Sequence, residues 1–232
     1  MNVAEYNLKS LDNAPKFNDW MFSRVLPYLH GDIMEIGSGV GTYSRRLEKT
    51  FGKEHVVLSD INPRIPGCLR LDLGSAKSWK EFSETLLKER GMKQFDCCMA
   101  LNVMEHVDPE LDHLVLSSLR ERLRDKGRLV FLVPAHECLF NIIDNKVGHY
   151  RRYVKNEWIR AMAEEGFTAK HINYFNVLAI PGWYVRGNIF GRPKVGEVSA
   201  GIFNVLTPML KFVENKILRN RIGISLIGVF EK

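Results

Sequence analysis

MEIGSGVGTYSRRL, residues 34–47, sets a glycine-rich turn between a short apolar run and an amphipathic stretch. Asp32–Ile36 reads as a strand, and Tyr43 and Leu47 follow the turn at helical spacing. Gly37, Gly39 and Gly41 let the backbone turn sharply and approach a ligand, because any side chain would fill that space. A helix opening at such a turn presents free backbone N–H groups to whatever lies there. The spacing is G-x-G-x-G, whereas dinucleotide sites use G-x-G-x-x-G. Taken alone, the turn is equally well a plain strand-to-helix connection.

Working outward, His55–Ser59 reads as a second strand closing at Asp60, about 20 residues beyond the turn. A carboxylate there offers two acceptor oxygens to two ribose hydroxyls, and its alternative role is a cap before Asn62-Pro63. Cys68–Leu71 is a short third strand ending at Asp72, which either accepts from an adenine amino group or caps the helix Ser78–Glu89. Phe95–Leu101 has the continuous apolar character of a strand buried on both faces. Leu111, Leu114, Val115, Leu119 and Leu123 give a helix, and Leu129–Val133 a strand stopped by Pro134. Upstream, Asn18 is expected to cap a helix whose Trp20, Met21, Val25 and Leu29 face the core. Downstream come a helix at Lys155–Glu165 and strands at His171–Val177 and Ile224–Phe230. This alternation predicts a parallel sheet flanked by helices, with acids at the carboxyl ends of successive strands where such sheets bind ligands.

Five segments in series, MEIGSGVGTYSRRL (34–47), VVLSD (56–60), LDL (71–73), FDCCMALNVMEHV (95–107) and GRLVFLVPA (127–135), resemble the class I S-adenosylmethionine (SAM)-dependent methyltransferases. The likeness spans about residues 16–177 and is strongest to the small-molecule branch that includes the ubiquinone-biosynthesis methyltransferases. It implies a Rossmann-like seven-stranded sheet, with a helical insertion at 178–222 between the sixth and seventh strands of one methyltransferase domain over 1–232. It also implies SAM as cofactor. Glu35 and Gly37–Gly41 would hold its methionine part, Asp60 the ribose, Asp72 and Leu73 the adenine, and Asn102 and Val103 the methionine end. Nucleobase amino-methyltransferases carry [N/D]-P-P-[Y/F] after the fourth strand. This chain reads Leu101-Asn102-Val103-Met104-Glu105-His106 there, which argues against that activity. Glu105 and His106 are read as catalytic groups or as cap and packing.

The acceptor side is expected in Ala135–Tyr153, a polar and aromatic loop too long for a mere connection. His136, Glu137, Asp144, His149, Tyr150, Arg151, Arg152 and Tyr153 are its candidates. Gly148–Tyr153 is similar to the histidine-bearing loop of the ubiquinone O-methyltransferases, which makes His149, with Tyr150, the candidate catalytic pair. A ring with a pKa near 6.5 suits a general base or a substrate contact. The alternative has Arg151 and Arg152 pairing with sheet-end acids and His149 as a loop spacer. Tyr6 and Trp20 are weighed as a lid, although the spacing around Trp20 favours core.

Net charge is +6, and 178–222 holds seven basic residues against two acidic ones, with Trp183, Tyr184, Phe190, Phe203 and Phe212 among them. Thr207-Pro208 reads as N-cap and first helical residue, with Leu210, Val213, Ile217 and Leu218 forming an apolar face. A basic amphipathic helix suits an anionic lipid surface or an amphiphilic acceptor, or else caps the acceptor pocket. The segment also resembles those of bacterial methyltransferases of envelope lipids or glycans. The charge therefore sits on the acceptor side, and nucleic acid is not the expected partner.

Apolar residues at 45% and charged residues at 26% exclude disorder, collagen and coiled coil. The four cysteines lack disulfide or metal spacing, and no metal ligand set is assigned. MNVAEYNLKSLDN shows no basic region followed by an apolar core, so a cytoplasmic place is expected, with membrane-peripheral contact through 178–222. The expected reaction is SAM-dependent methyl transfer to oxygen or carbon of a small or lipid-like acceptor. The rivals are an NAD-dependent oxidoreductase and a SAM-binding partner protein without activity.

Overall fold

In the computed structural model, β1 (Ile33–Ile36) lies between β2 (Val56–Asp60) and β4 (Phe95–Leu101) and pairs in parallel with both. All four β1 residues are buried because both faces of the sheet are covered. The structure describes residues 12–192, 197–214 and 220–232. Tyr6 of the expected lid lies outside them, as do Lys194, Lys216, Ile217, Leu218 and Arg219 of the basic segment. β3 (Leu69–Arg70), β5 (Leu123–Pro134), β6 (Thr168–Phe175) and β7 (Ser225–Glu231) complete the seven-stranded order β3-β2-β1-β4-β5-β7-β6. β7 runs antiparallel to both β5 and β6. Strand order reverses between β1 and β4, and a crevice opens at such a point beyond the carboxyl ends of the strands.

One face carries α1 (Pro15–Val25), Leu47 of α2 (Ser44–Phe51), Cys97, Met99 and Val130. The other is covered by α3 (Ala76–Arg90), α4 (Asp112–Arg122) and α6 (Lys155–Glu164), which bury Phe82, Leu119 and Trp158 against Cys98 and Phe131. Trp20 is 2% exposed and belongs to the core, as its spacing predicts. The free cysteines Cys97 and Cys98 point to opposite faces of β4.

Several boundaries differ from those expected. α1 begins at Pro15 with Ala14 as N-cap, because proline at the first helical position is pre-set for the helix. Asn18 is therefore inside α1 and accepts from the Tyr43 hydroxyl at 3.2 Å instead of capping. Ser75 caps α3, accepting from Ser78 N at 3.2 Å, so neither Asp72 nor Ser78 opens that helix. Leu123 leaves the helical face to pair with Phe95 at the start of β5. The stretch Ala135–Tyr153 is not one irregular loop: it contains α5 (Ile142–Val147), opened by a capping box of Asn141 and Asp144.

The segment after β6 forms α7 (Ala179–Tyr184), a π-type turn (Val185–Ile189) and α8 (Glu197–Phe212). Thr207 and Pro208 lie inside α8 and not at its start, and Thr207 is buried. α8 docks on α1, where Leu210 joins the core and Lys16 N donates to Asn204 Oδ1 at 2.7 Å. Among the described residues no helix is long and apolar enough to cross a membrane.

Candidate active site

At the carboxyl end of β1 the chain turns through Gly37 and Gly39, at φ +75° and +55°, conformations that glycine adopts without strain. Gly37 N and Ser38 N both donate to Ser59 O, at 2.8 and 3.0 Å, and Gly39 N donates to Asp60 Oδ2 at 2.8 Å. Asp60 Oδ1 accepts from Asn62 N at 2.8 Å, so both oxygens are oriented by backbone while each keeps a lone pair. A Cβ on Gly37 would lie 2.4 Å from Val103 Cγ2, so Val103 closes directly on the turn. Gly41, at φ +83°, sits against Ile65 and Arg45.

Glu35 faces this turn from below. It is buried, its carboxylate accepts from the Ser44 hydroxyl, and Ser59 Oγ donates to its backbone oxygen at 2.9 Å. Burial pushes the carboxyl up to about 7, against the pull of the Ser44 and Ser38 hydroxyls. β3 joins the site where Leu71 N donates to Asp60 O at 2.9 Å. Asp72 Oδ1 then accepts from Gly74 N at 3.0 Å. Leu73 packs into the core and its carbonyl accepts from Trp79 Nε1 at 2.9 Å. Asn102, at φ +55°, is exposed at the end of β4, its N–H donating to Leu132 O at 2.8 Å. The fold thus brings Glu35, the glycine turn, Asp60, Asp72 and Val103 to one end of the sheet.

A second polar cluster follows β4. Glu105, on the short 3-10 turn Met104–His106, is fully buried with no hydrogen bond to either carboxylate oxygen. Burial pushes it up to about 7, opposed by the nearby His149. His149 Nε2 is 3.9 Å from Glu105 Oε1, and its Nδ1 is 2.9 Å from Asp144 Oδ1. Asp144 also accepts from Arg152 Nε and Asn141 N, each at 3.0 Å. Burial alone would raise the Asp144 carboxyl; hydrogen bonds from His149 and Arg152 outweigh it and hold the group below the usual range. His106 Nδ1 lies 3.1 Å from Gly148 O, and its ring meets His149 edge-on at 4.7 Å between centroids. Desolvation and the His149 charge push His106 down to about 4.

Much of the remaining loop is tied down by hydrogen bonds. Arg151 forks onto Asp112, Arg152 Nη1 donates to Ala135 O at 3.1 Å, and Tyr153 N returns to Pro134 O at 2.8 Å. The arginines thus pair with acids of α4 and α5 and not with sheet-end acids, and His149 is held by Asp144. Tyr150 is exposed, and its backbone N–H donates to Glu105 O at 2.8 Å. His136 stacks on Tyr174, with ring centroids 5.0 Å apart. The adjacency Glu105-His106 just after a buried strand was the sequence signal for this cluster, but nothing local joins it to His149.

The segment after β6 borders the same loop. Arg152 lies over the Trp183 ring at 4.8 Å, Asn141 Nδ2 donates to Asn188 Oδ1 at 2.9 Å, and Gly187 is closed over by Asn141. An open 460 Å³ cavity is lined by Pro181, Gly182, Val185, Arg186, Phe190 and Arg192. Ile189, Phe190, Val205, Met209 and Phe212 are each more than half exposed, with Arg192 and Lys211 exposed among them.

Comparison with known proteins adds independent findings. A family model described as a methyltransferase domain matches residues 13–183. Malonyl-[acyl-carrier protein] O-methyltransferase 1 of Ilyobacter polytropus is 19% identical over 170 residues, covering 68% of this chain. The match spans 63% of that relative's length. A SAM-dependent methyltransferase structure from Archaeoglobus fulgidus is similar with TM-score 0.58 and 19% identity, covering 94% of each chain. One from Mesorhizobium loti is similar with TM-score 0.57 and 14% identity, covering 96% of this chain and 100% of that one. At these identities the structures establish the fold.

Proposed function

The chain belongs to the methyltransferase domain family, and on that premise we propose that it transfers the methyl group of SAM to a small or lipid-like acceptor, on oxygen or carbon. The observation that carries the reading is the row Glu35, Asp60 and Asp72 at successive strand ends around a turn that only glycine fits. SAM brings an ammonium, two ribose hydroxyls and an adenine amine, all donors, and the three carboxyl groups are acceptors. Glu35 would hold the ammonium, with Gly37, Gly39 and Gly41 beside it, and Asp60 would hold the ribose. Asp72 and Leu73 would border the adenine, and Asn102 and Val103 the methionine end. When bound, SAM supplies an electrophilic methyl group on a sulfonium.

The chain's own contribution is to align and activate the acceptor, because an in-line displacement gains most of its rate from positioning. Asp144 fixes His149 through Nδ1, which leaves Nε2 to take a proton from an acceptor hydroxyl. Tyr150 would contact the acceptor from the exposed side of the same loop. The O-methyltransferase activity named for the Ilyobacter relative supports oxygen as the acceptor atom. Exposed apolar side chains in the segment after β6, which also carries Arg192 and Lys211, support a lipid-like acceptor met at an anionic membrane surface. The oxidoreductase alternative is not favoured, since neither the glycine spacing nor the antiparallel β7 suits it.

Calorimetry with SAM, S-adenosylhomocysteine and NAD tests the reading. Binding of the first two without NAD is the expected outcome, and binding of NAD alone overturns it. Product detection by mass spectrometry with a panel of hydroxyl-bearing lipids then separates an enzyme from a SAM-binding partner protein.

A further inference from the structure

We propose that a cavity between the end of α1 and β6 is a binding site for a small phosphate-type anion. The cavity measures 230 Å³ and is lined by Arg24, Tyr28, His171, Asn173, Asn220 and Ile227. Drug-sized ligands fill roughly 300–1,000 Å³, so its occupant is small. It is distinct from the cofactor end of the sheet, because β4 and β5 stand between β1 and the pair β7 and β6.

The chemistry of the lining selects an anion. No acidic side chain lines the cavity, whereas Arg24 brings a guanidinium with its fork of donors. Asn173 Nδ2 lies 2.8 Å from His171 Nε2 and can only donate, so that ring nitrogen accepts. The hydrogen of the neutral ring then sits on Nδ1, a second donor. The Tyr28 ring packs on the His171 ring, with centroids 4.7 Å apart, and brings a hydroxyl. Burial, and then the charges of Arg24 and Lys155, hold the His171 ring below its usual range. An anion in the cavity relieves that crowding of positive charge. Glu214 also feels the Arg24 charge, but its two oxygens are taken up by Asn176 N and Val177 N.

Asn220 narrows the choice among anions. At φ +55°, it has its side-chain oxygen buried with no hydrogen-bond partner among the described residues. An orphaned acceptor is costly unless a donor meets it. Inorganic phosphate keeps an O–H throughout the neutral range, and a phosphate monoester keeps one below its second pKa of about 6. Sulfate keeps none. Donors from Arg24, His171 and Tyr28 with one acceptor from Asn220 therefore match a phosphate that still carries a proton.

The place of the site makes its occupancy matter. β6 leads into 178–222, and Asn220 lies where that segment returns, its carbonyl accepting from Tyr174 N at 3.2 Å. Arg24 belongs to α1, on which α8 docks. An anion shared by Arg24, His171 and Asn220 ties α1 to the root of the segment.

The test uses the full chain in a phosphate-free buffer at pH 6. Inorganic phosphate, glycerol 3-phosphate and sulfate are titrated in separately by calorimetry, and thermal unfolding is followed on the same samples. The expected result is one phosphate per chain and a melting temperature that rises with phosphate concentration. Affinity should fall about tenfold or more in Arg24→Gln, as for loss of a charge-assisted hydrogen bond. Tyr28→Phe keeps the ring and removes the hydroxyl, so a severalfold loss there reports on the site even where Arg24→Gln fails to fold. Lys88→Gln removes an equal charge from the exposed side of α3 and should leave affinity unchanged. Sulfate sets a lone pair against Asn220 and should bind about tenfold more weakly. Tighter binding of glycerol 3-phosphate assigns the site to phosphate monoesters, and tighter binding of inorganic phosphate assigns it to the free ion. Absence of phosphate binding overturns the site, as does equal affinity in the wild type, Arg24→Gln and Tyr28→Phe. An equal loss in Lys88→Gln, or equal binding of sulfate, reduces it to general attraction of anions and overturns it as well.

Discussion

At the scale of single residues, Glu35, Asp60 and Gly37 make separable demands. Glu35 is held up to about 7 by burial, above the ~4.3 of an unfolded glutamate. Its folded value is the higher one, so its contribution to stability is complete below about pH 4 and declines as pH rises through 7. The loss amounts to about 3 kcal/mol at pH 8. Denaturation at pH 5 and pH 8 should show this slope in the wild type, and Glu35→Gln should flatten it. An ammonium binding to Glu35 favours the carboxylate, so SAM binding near pH 6 should release a proton, measurable as a buffer-dependent heat. Asp60→Ala should weaken SAM by ~1–3 kcal/mol; unchanged affinity in calorimetry would remove Asp60 from the site. Gly37→Ala meets both a positive φ and the Val103 methyl, so it should destabilise by about 1–3 kcal/mol. Adding Val103→Ala should recover the steric part and not the backbone part, which a double-mutant cycle resolves.

Among the elements, α5 shows why the loop after β5 is ordered. Six residues do not make a stable helix in isolation, and this one is held by its capping box. Asn141 accepts from Ile143 N at 2.9 Å and donates to Asn188, while Asp144 of the same box orients His149. Asn141→Ala should cost about 1 kcal/mol of stability. It should also lower methyl transfer with SAM affinity unchanged, because the cap supports the acceptor side only. A fall in SAM affinity would contradict that division. The periodicity of Leu111, Val115 and Leu119 made α4 legible. The box at Asn141 is not legible in that way, because its two hydrogen bonds are reciprocal local contacts that leave no hydrophobic period.

For the whole molecule, the segment between β6 and β7 is held at two places and exposed elsewhere. Glu214, buried, accepts from Asn176 N and Val177 N at 2.9 and 3.1 Å, tying the residues after α8 to those after β6. α8 is further anchored on α1, so the cap and the membrane readings of this segment are compatible. Ile189, Phe190, Met209 and Phe212 stay outward with Arg192 and Lys211. Sedimentation with anionic vesicles at low salt should capture the protein, and raising the salt or substituting Phe190 and Phe212 by alanine should release it. Failure to sediment at low salt would leave the segment as a cap alone.

The sequence by itself determined the sheet, the glycine turn and the acids at the strand ends. Each is written in local periodicity or in a spacing of a few residues, and the segment MEIGSGVGTYSRRL already carries strand, turn and helix together. It also confined the excess basic charge to residues 178–222, since charge is additive along a chain. The helix starts at Pro15 and Ala76 and the early start of β5 are not legible in the sequence, because competing local signals are decided by pairing and packing. Only the tertiary structure joined His149 to Glu105 and His106, and gave Asp144 the work of orienting it. Those residues come from two different connections, after β4 and after β5, and the parallel pairing of the strands brings their carboxyl ends side by side.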